Sequence, residues 1–97
     1  MTDEEKRSLE LLEANHAFPG EYPLSVIALN KAEVTAAIRR SIEEGTGTPL
    51  PEGAGESRLS SGGKYISHRI SVHCREAADV LRLYARLRGV DGVVTVL

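Results

Sequence analysis

Apolar and polar residues alternate along two long segments of the chain, and this period is that of a β-strand with one buried side. In the first segment, Glu21 to Leu29, one side is wholly apolar and consists of Tyr22, Leu24, Val26 and Ala28. In the second segment, Lys64 to Cys74, the corresponding side consists of Ile66, His68, Ile70, Val72 and Cys74. Both segments are therefore predicted to be strands that bury these sides.

Two segments have apolar residues at helical spacing instead. One helix is predicted from about Asn30 to Glu44, with Asn30 as its N-cap and an apolar face of Val34, Ala37, Ile38 and Ile42. The other is predicted from Glu76 to Arg88, with an apolar face of Ala77, Val80, Tyr84 and Leu87. Gly45 and Gly89 follow the last periodic residues and are expected to end these helices.

A shorter helix is predicted at the start of the chain, from about Asp3 to Glu13, because Thr2 and Glu5 have the spacing of a capping box. Its few leucines cannot stabilise it alone. We therefore expect it to dock on the rest of the domain or on a partner.

Three segments complete the chain. Gly45 to Gly55 contains four glycines and two prolines and is predicted to be a loop. Glu56 to Ser60 is predicted to be a short polar strand. Val90 to Leu97 is rich in valine on both sides, which is typical of a strand with neighbours on each face.

After the first helix, the order β-α-β-β-α-β predicts an α+β, ferredoxin-like domain. Right-handed crossovers place two helices on one face of a four-stranded antiparallel sheet in the order 4-1-3-2 and leave the other face open. At 97 residues the chain has room for one hydrophobic core. We assign residues 1–17 to an N-terminal helical arm and residues 18–97 to the ferredoxin-like domain.

Composition narrows the class of protein. Apolar residues make up 41% of the chain, charged residues 27%, and the net charge is −2. These values are typical of a soluble globular protein and give no basic excess for nucleic-acid binding. Cys74 is the one cysteine, so no internal disulfide can form, and no apolar leader follows a basic segment. The expected location is the cytoplasm, with no membrane contact.

The segment Arg58 to Tyr65, RLSSGGKY, has the composition of a phosphate-binding loop. A P-loop needs a glycine five positions before its Gly-Lys and a Ser or Thr after the lysine. Arg58 and Tyr65 occupy those positions, and the segment joins two predicted strands. Gly62 and Gly63 are therefore predicted to form a hairpin turn.

Several residues along this topology resemble the YbeD-like family of small bacterial proteins, a domain of unknown function. The resemblance includes the segment 9–13, Phe18-Pro19 before the first strand, and the hairpin residues Ser60, Ser61, Gly63 and Tyr65. It continues through Ile70, Ser71, Val72, Val80, Leu83, Tyr84, Leu87, Val90, Asp91, Val96 and Leu97. It implies a fold similar to ACT-type regulatory domains and an association with lipoate metabolism that no residue here explains.

His68, His73 and Cys74 are the residues most suggestive of metal binding or catalysis. His68 and Cys74 lie six residues apart on one side of the strand and His73 lies on the other, so the sequence predicts no metal site and no cofactor. Cys74, followed by Arg75 at a helix start, is the one candidate nucleophile for an enzyme or redox-responsive protein. Our expectation is that the chain is not an enzyme.

The open face of the sheet is the predicted binding surface. The partner-binding residues expected there are Ile27, Leu29, Tyr65, Val94 and Val96. Val93 and Leu97 replace Val94 and Val96 if the last strand has the opposite parity. The alternative is that the N-terminal helix covers this face with Leu9 and Leu12.

These observations favour a non-enzymatic regulatory or interaction protein. Its open face would bind a protein partner, a second copy of the chain or a small effector. A thiol-dependent protein using Cys74 is the alternative from another class. RNA binding ranks below both, because Tyr65 is the one aromatic residue expected on the open face.

Overall fold

The computed structural model describes residues 1–97 and contains three helices and four strands. The elements are α1 (Asp3–Asn15), β1 (Gly20–Leu29), α2 (Ala32–Thr46), β2 (Glu56–Leu59), β3 (Tyr65–Cys74), α3 (Ala77–Arg88) and β4 (Val93–Val96). The sheet is antiparallel and its strand order is β2-β3-β1-β4. The predicted ferredoxin-like α+β arrangement with an additional N-terminal helix is confirmed.

The two central strands, β1 and β3, pair along their whole length, from Gly20 opposite Cys74 to Leu29 opposite Tyr65. This register brings the two apolar sides together, so that Leu24 lies opposite Ile70 and both are buried. A shift by one residue would turn the apolar side of one of the two strands out to solvent. The alternating pattern therefore specifies the register of this pair.

The core lies between this side of the sheet and the helices. Helix α2 contributes Val34, Ile38 and Ile42, and α3 contributes Ala77, Val80, Leu83 and Leu87. Burial of one such Leu or Ile side chain is worth about 1.5–3 kcal/mol. At one end of the core, the hydroxyl oxygens of Tyr22 and Tyr84 lie 2.7 Å apart and hydrogen-bond.

Pro23 lies within a central strand, where a missing N–H normally breaks the ladder. Ser25 donates its backbone N–H to the carbonyl of Leu97, so the backbone nitrogen of Pro23, two residues earlier, also faces β4. The β4 pairing ends at Leu97, and β1 is an edge beyond that point. Proline is tolerated there because no donor is needed.

Strand β4 is shorter than predicted, and its side chains do not alternate regularly between the two faces of the sheet. The chain turns at Val90–Gly92, where the backbone N–H of Val93 bonds to the carbonyl of Val90. The pairing with β1 shifts between Ile27 and Ala28, because Ala28 lies opposite Val93 while Ile27 lies opposite Thr95. One extra residue in this strand, a β-bulge, reverses the side chain parity expected from simple alternation.

The predicted cap of α2 is wrong. Lys31 occupies the N-cap position and makes no side-chain capping bond. Asn30 instead donates its side-chain N–H to the carbonyl of Gly63 and its backbone N–H to the carbonyl of Lys64. It therefore ties the start of α2 to the β2–β3 hairpin. The helix also continues past Gly45 and ends at Gly47, whose φ of 71° is left-handed.

The hairpin prediction is confirmed. Gly62 and Gly63 both have positive φ, at 86° and 74°. The carbonyl oxygen of Ser60 accepts the backbone N–H of Gly63, and its hydroxyl accepts the backbone N–H of Tyr65 at 3.0 Å. The segment thus closes β2 onto β3.

Helix α1 lies on the helical side of the sheet. Thr2 accepts the backbone N–H of Glu5 at 3.1 Å, as the capping box predicts. The helix contacts α3, and its Leu12 packs against the core. The alternative in which this helix covers the open face with Leu9 and Leu12 is therefore wrong.

Gly55→Ala is expected to destabilise the fold more than Gly53→Ala. Both glycines have left-handed φ, 83° and 74°, so an alanine costs about 1–2 kcal/mol at either position. A Cβ at Gly55 would also collide with the carbonyl oxygen of Arg69 and lie 2.9 Å from Ile70 Cγ1, whereas Gly53 has open space. The added overlap is expected to cost about 1–3 kcal/mol more. Urea unfolding checks both variants, and equal losses would contradict this packing.

Candidate interaction surface

The open face of the sheet is formed by the side chains that point away from the helices. Ile27 lies on it opposite Ser67 on one neighbouring strand and Thr95 on the other. Leu29 lies opposite Tyr65 at the hairpin end, and all three predicted residues, Ile27, Leu29 and Tyr65, are half-buried. Their predicted placement on this face is confirmed, while their role in binding stays a prediction.

Val96 does not belong to this face. It lies opposite the buried Val26 and is 6% exposed in the core. The bulge in β4 is the reason, because the extra residue moves Thr95 and Leu97 to the open face in its place. Leu97 is 64% exposed and exchanges both backbone hydrogen bonds with Ser25. Val94 lies at the bulge on the edge strand and is 58% exposed.

A shallow depression of about 580 Å³ crosses the open face from β4 to β2. Ile27 and Leu97 form its apolar part, and Ser25 and Ser67 lie beside them. The side toward β2 is lined by Arg58, Arg69 and Glu56. The surface therefore combines a small apolar area with charged groups, whereas the residues predicted from the sequence are all apolar or aromatic.

Arg58 and Arg69 are exposed, and no carboxylate forms an ion pair with either guanidinium. Arg58 lies opposite Ser67, and Arg69 lies opposite Glu56, so the two arginines lie diagonally across adjacent strands. Sequence reasoning missed Arg58, because β2 is exposed along its whole length. It has no apolar alternation that would show which of its side chains face the helices. With Glu56 counted, the two guanidiniums leave this part of the face with one net positive charge.

Tyr65 borders the hairpin end of the same face. The ammonium of Lys64 lies 5.4 Å from the centre of its ring, within the range of a cation–π contact. Tyrosine is among the residues that are enriched at protein interfaces.

His68, His73 and Cys74 do not converge. His68 and Cys74 are buried on the helical side, whereas His73 is exposed on the open side. No three His, Cys, Asp or Glu side chains are close enough to hold a metal ion.

The thiol of Cys74 is fully buried. Burial raises its pKa to about 11, and the nearby carboxylates of Asp79 and Glu21 act in the same direction. The alternative function required a thiolate stabilised by Arg75. Arg75 instead donates its backbone N–H to Asp79 and pairs with that carboxylate, so the pKa of Cys74 is raised rather than lowered.

His68 is 6% exposed, and its Nδ1 lies 2.9 Å from the hydroxyl of Ser57 on the neighbouring strand. The other ring nitrogen, Nε2, is buried and has no hydrogen-bond partner in the protein. Burial, and secondarily the charge of Arg39, lower the pKa of His68. An unpartnered buried polar atom typically costs about 1–3 kcal/mol, so this position calls for an explanation beyond packing.

The fold and the exposed sheet define a ferredoxin-like domain with one uncovered face. A profile of the family described as "protein of unknown function (DUF493)" matches residues 13–97. The chain belongs to this family, which confirms the resemblance to the YbeD-like proteins. No curated protein matches the chain. None of the three helices has the length and apolar character needed to cross a membrane.

Cys74 is expected to react with a disulfide reagent such as DTNB about a hundredfold more slowly at pH 8 in the folded protein than in urea. Its pKa of about 11, against 9.0 for an ordinary thiol, lowers the thiolate fraction by about that factor. Because Cys74 is the one cysteine, the whole signal reports on it. A native rate equal to the rate in urea would contradict the burial of this thiol.

Proposed function

We propose that this protein is a non-enzymatic interaction module that binds a protein partner through the open face of its sheet. The observation that supports the proposal is the depression in which Ile27 and Leu97 lie next to the unpaired Arg58 and Arg69. Interfaces of moderate affinity typically combine an apolar centre with a polar rim and are enriched in arginine.

The chemistry of the surface favours a partner segment that offers an apolar side chain between acidic residues. The apolar side chain would contact Ile27 and Leu97, and carboxylates would accept two-pronged hydrogen bonds from Arg58 and Arg69. A second copy of the chain fits less well, because a face-to-face pair would bring four arginines together with only two copies of Glu56 to balance them. The protein would act in the cytoplasm, which fits its lone unpaired cysteine.

The absence of catalytic activity is part of the proposal. It is supported by the raised pKa of the buried Cys74 thiol and by the separation of His73 from it across the sheet. A nucleophile needs a base within hydrogen-bonding reach, and no such pair involves this thiol.

Leu97→Asp and Arg69→Glu are expected to weaken partner binding strongly while the fold stays intact, since both side chains are exposed. Removal of an interface anchor commonly weakens binding by about 2 kcal/mol or more, which is about thirtyfold. The measurement is quantitative mass spectrometry of proteins retained from a native cytoplasmic extract, followed by titration of the purified partner.

Leu11→Asp is the matched control, because Leu11 is 58% exposed but lies on α1, on the other side of the molecule. A partner retained by the unchanged protein and by Leu11→Asp, but lost by the two sheet variants, supports the proposal. Equal retention by all four proteins contradicts it. A dimer in light scattering that Leu97→Asp dissociates would replace the separate partner with a second copy of the chain.

A further inference from the structure

A second recess, which we call the His68 cleft, lies on the helical side of β2 and β3. Its lining includes Thr35 and Arg39 of α2, residues 53–57, and His68 and Ile70 of β3. Its volume is about 170 Å³. A water molecule takes up about 30 Å³ in the liquid, so the cleft has the volume of about six waters. This is enough for an ion or acid of a few heavy atoms and too small for a nucleotide or a peptide.

We propose that the His68 cleft binds a small oxyanion, either a phosphate or a carboxylate group. Two groups support this assignment independently: the guanidinium of Arg39, which has no carboxylate partner, and the buried Nε2 of His68, which has no partner at all. The site lies on the opposite side of the sheet from the proposed partner surface. It therefore goes beyond the proposed function and is tested separately.

Arg39 is positioned for this role by the loop that follows α2. Its Nη2 donates to the carbonyl oxygen of Pro51 at 2.6 Å and lies 3.5 Å from that of Leu50. Glu43, one turn further along α2, accepts the backbone N–H of Leu50 at 2.8 Å. These bonds hold the loop against the helix and use one nitrogen of the guanidinium. The remaining N–H groups of Arg39 are available to an oxyanion.

His68 supplies the second donor. A neutral imidazole carries its proton on one nitrogen and accepts at the other. When the Ser57 hydroxyl donates to Nδ1, the proton is on Nε2, which can then donate to an anion. In this tautomer the orientation of His68 is set by Ser57 of β2, and its free donor is on Nε2, which has no hydrogen-bond partner in the protein.

Glu56 also lines the cleft, but its carboxylate is directed away from it. Ser57 faces the helical side, where it bonds His68, so Glu56 faces the open side opposite Arg69. The backbone of Glu56 is what borders the cleft. The one charged side chain that faces the site is therefore Arg39, whose sign suits an anion.

The test is an NMR titration of the unchanged protein at constant pH and ionic strength, with inorganic phosphate in one arm, acetate in a second and chloride in a third. Long-range ¹H–¹⁵N spectra report the ring nitrogens of each histidine. We expect a saturable shift of His68 Nε2 with phosphate or acetate, and the arm with the tighter affinity identifies the class of oxyanion. His73, exposed on the other side of the same strand, should not shift.

Arg39→Gln is expected to weaken this binding about tenfold or more, the loss that accompanies removal of one charge-assisted bond. Arg40→Gln is the matched control, because Arg40 is the next residue of α2, is exposed and does not line the cleft. A His68 signal that neither phosphate nor acetate shifts saturably would overturn the proposal, as would equal weakening by the two arginine variants. Neither result would bear on Leu97→Asp, so failure of this site is distinguishable from failure of the partner surface.

Discussion

The pairing of β1 with β3 is the constraint on which the rest of the structure depends. Ten residues of each strand pair without interruption, and the register decides which side of the sheet every side chain of both strands occupies. It buries Leu24 against the helices and leaves Arg69 in solvent. The hydrophobic core and the open face are therefore two consequences of one set of backbone hydrogen bonds.

The same register separates the side chains that could take part in chemistry. Cys74 is turned into the core, where burial keeps it protonated, and His73 beside it is turned outward. His68 is also turned inward, but near β2, where Ser57 and the loop after α2 surround it with polar groups. The buried side thus contains a buried thiol at one end of β3 and a polar recess toward the other. The open side contains the arginines and the exposed Leu97.

The sequence was sufficient for most of the fold, because its strongest signals are periodic. Burial imposes period two on β1 and β3 and the four-residue spacing on Val34, Ile38 and Ile42. One architecture, with helices packed on one side of the sheet, accounts for all of this burial. The placement of Val96 could not be predicted, since one extra residue in β4 changes parity without changing the apolar composition. The cap at Asn30 failed for a related reason: a bond to Gly63, distant in sequence, replaced the local one.

The candidate sites were less accessible to sequence reasoning. Ile27, Leu29 and Tyr65 could be placed because they lie on strands with clear alternation. Arg58 could not, because β2 has no buried side. The recess at His68 depends on Arg39 holding a glycine-rich loop against α2, and nothing in the spacing of these residues signals that contact.

The most direct test of this account is the register of β1 and β3, measured by nuclear Overhauser effects between α-protons. Ser25 donates toward β4, so its pair with Arg69 is of the non-hydrogen-bonded type, in which the two Cα atoms lie about 4.5 Å apart and the α-protons face each other. The account predicts strong α-proton contacts between Ser25 and Arg69 and between Ile27 and Ser67. Contacts of Ser25 with His68 or Ile70 instead would show a register slipped by one residue, and the division into a buried side and an open face would then be wrong.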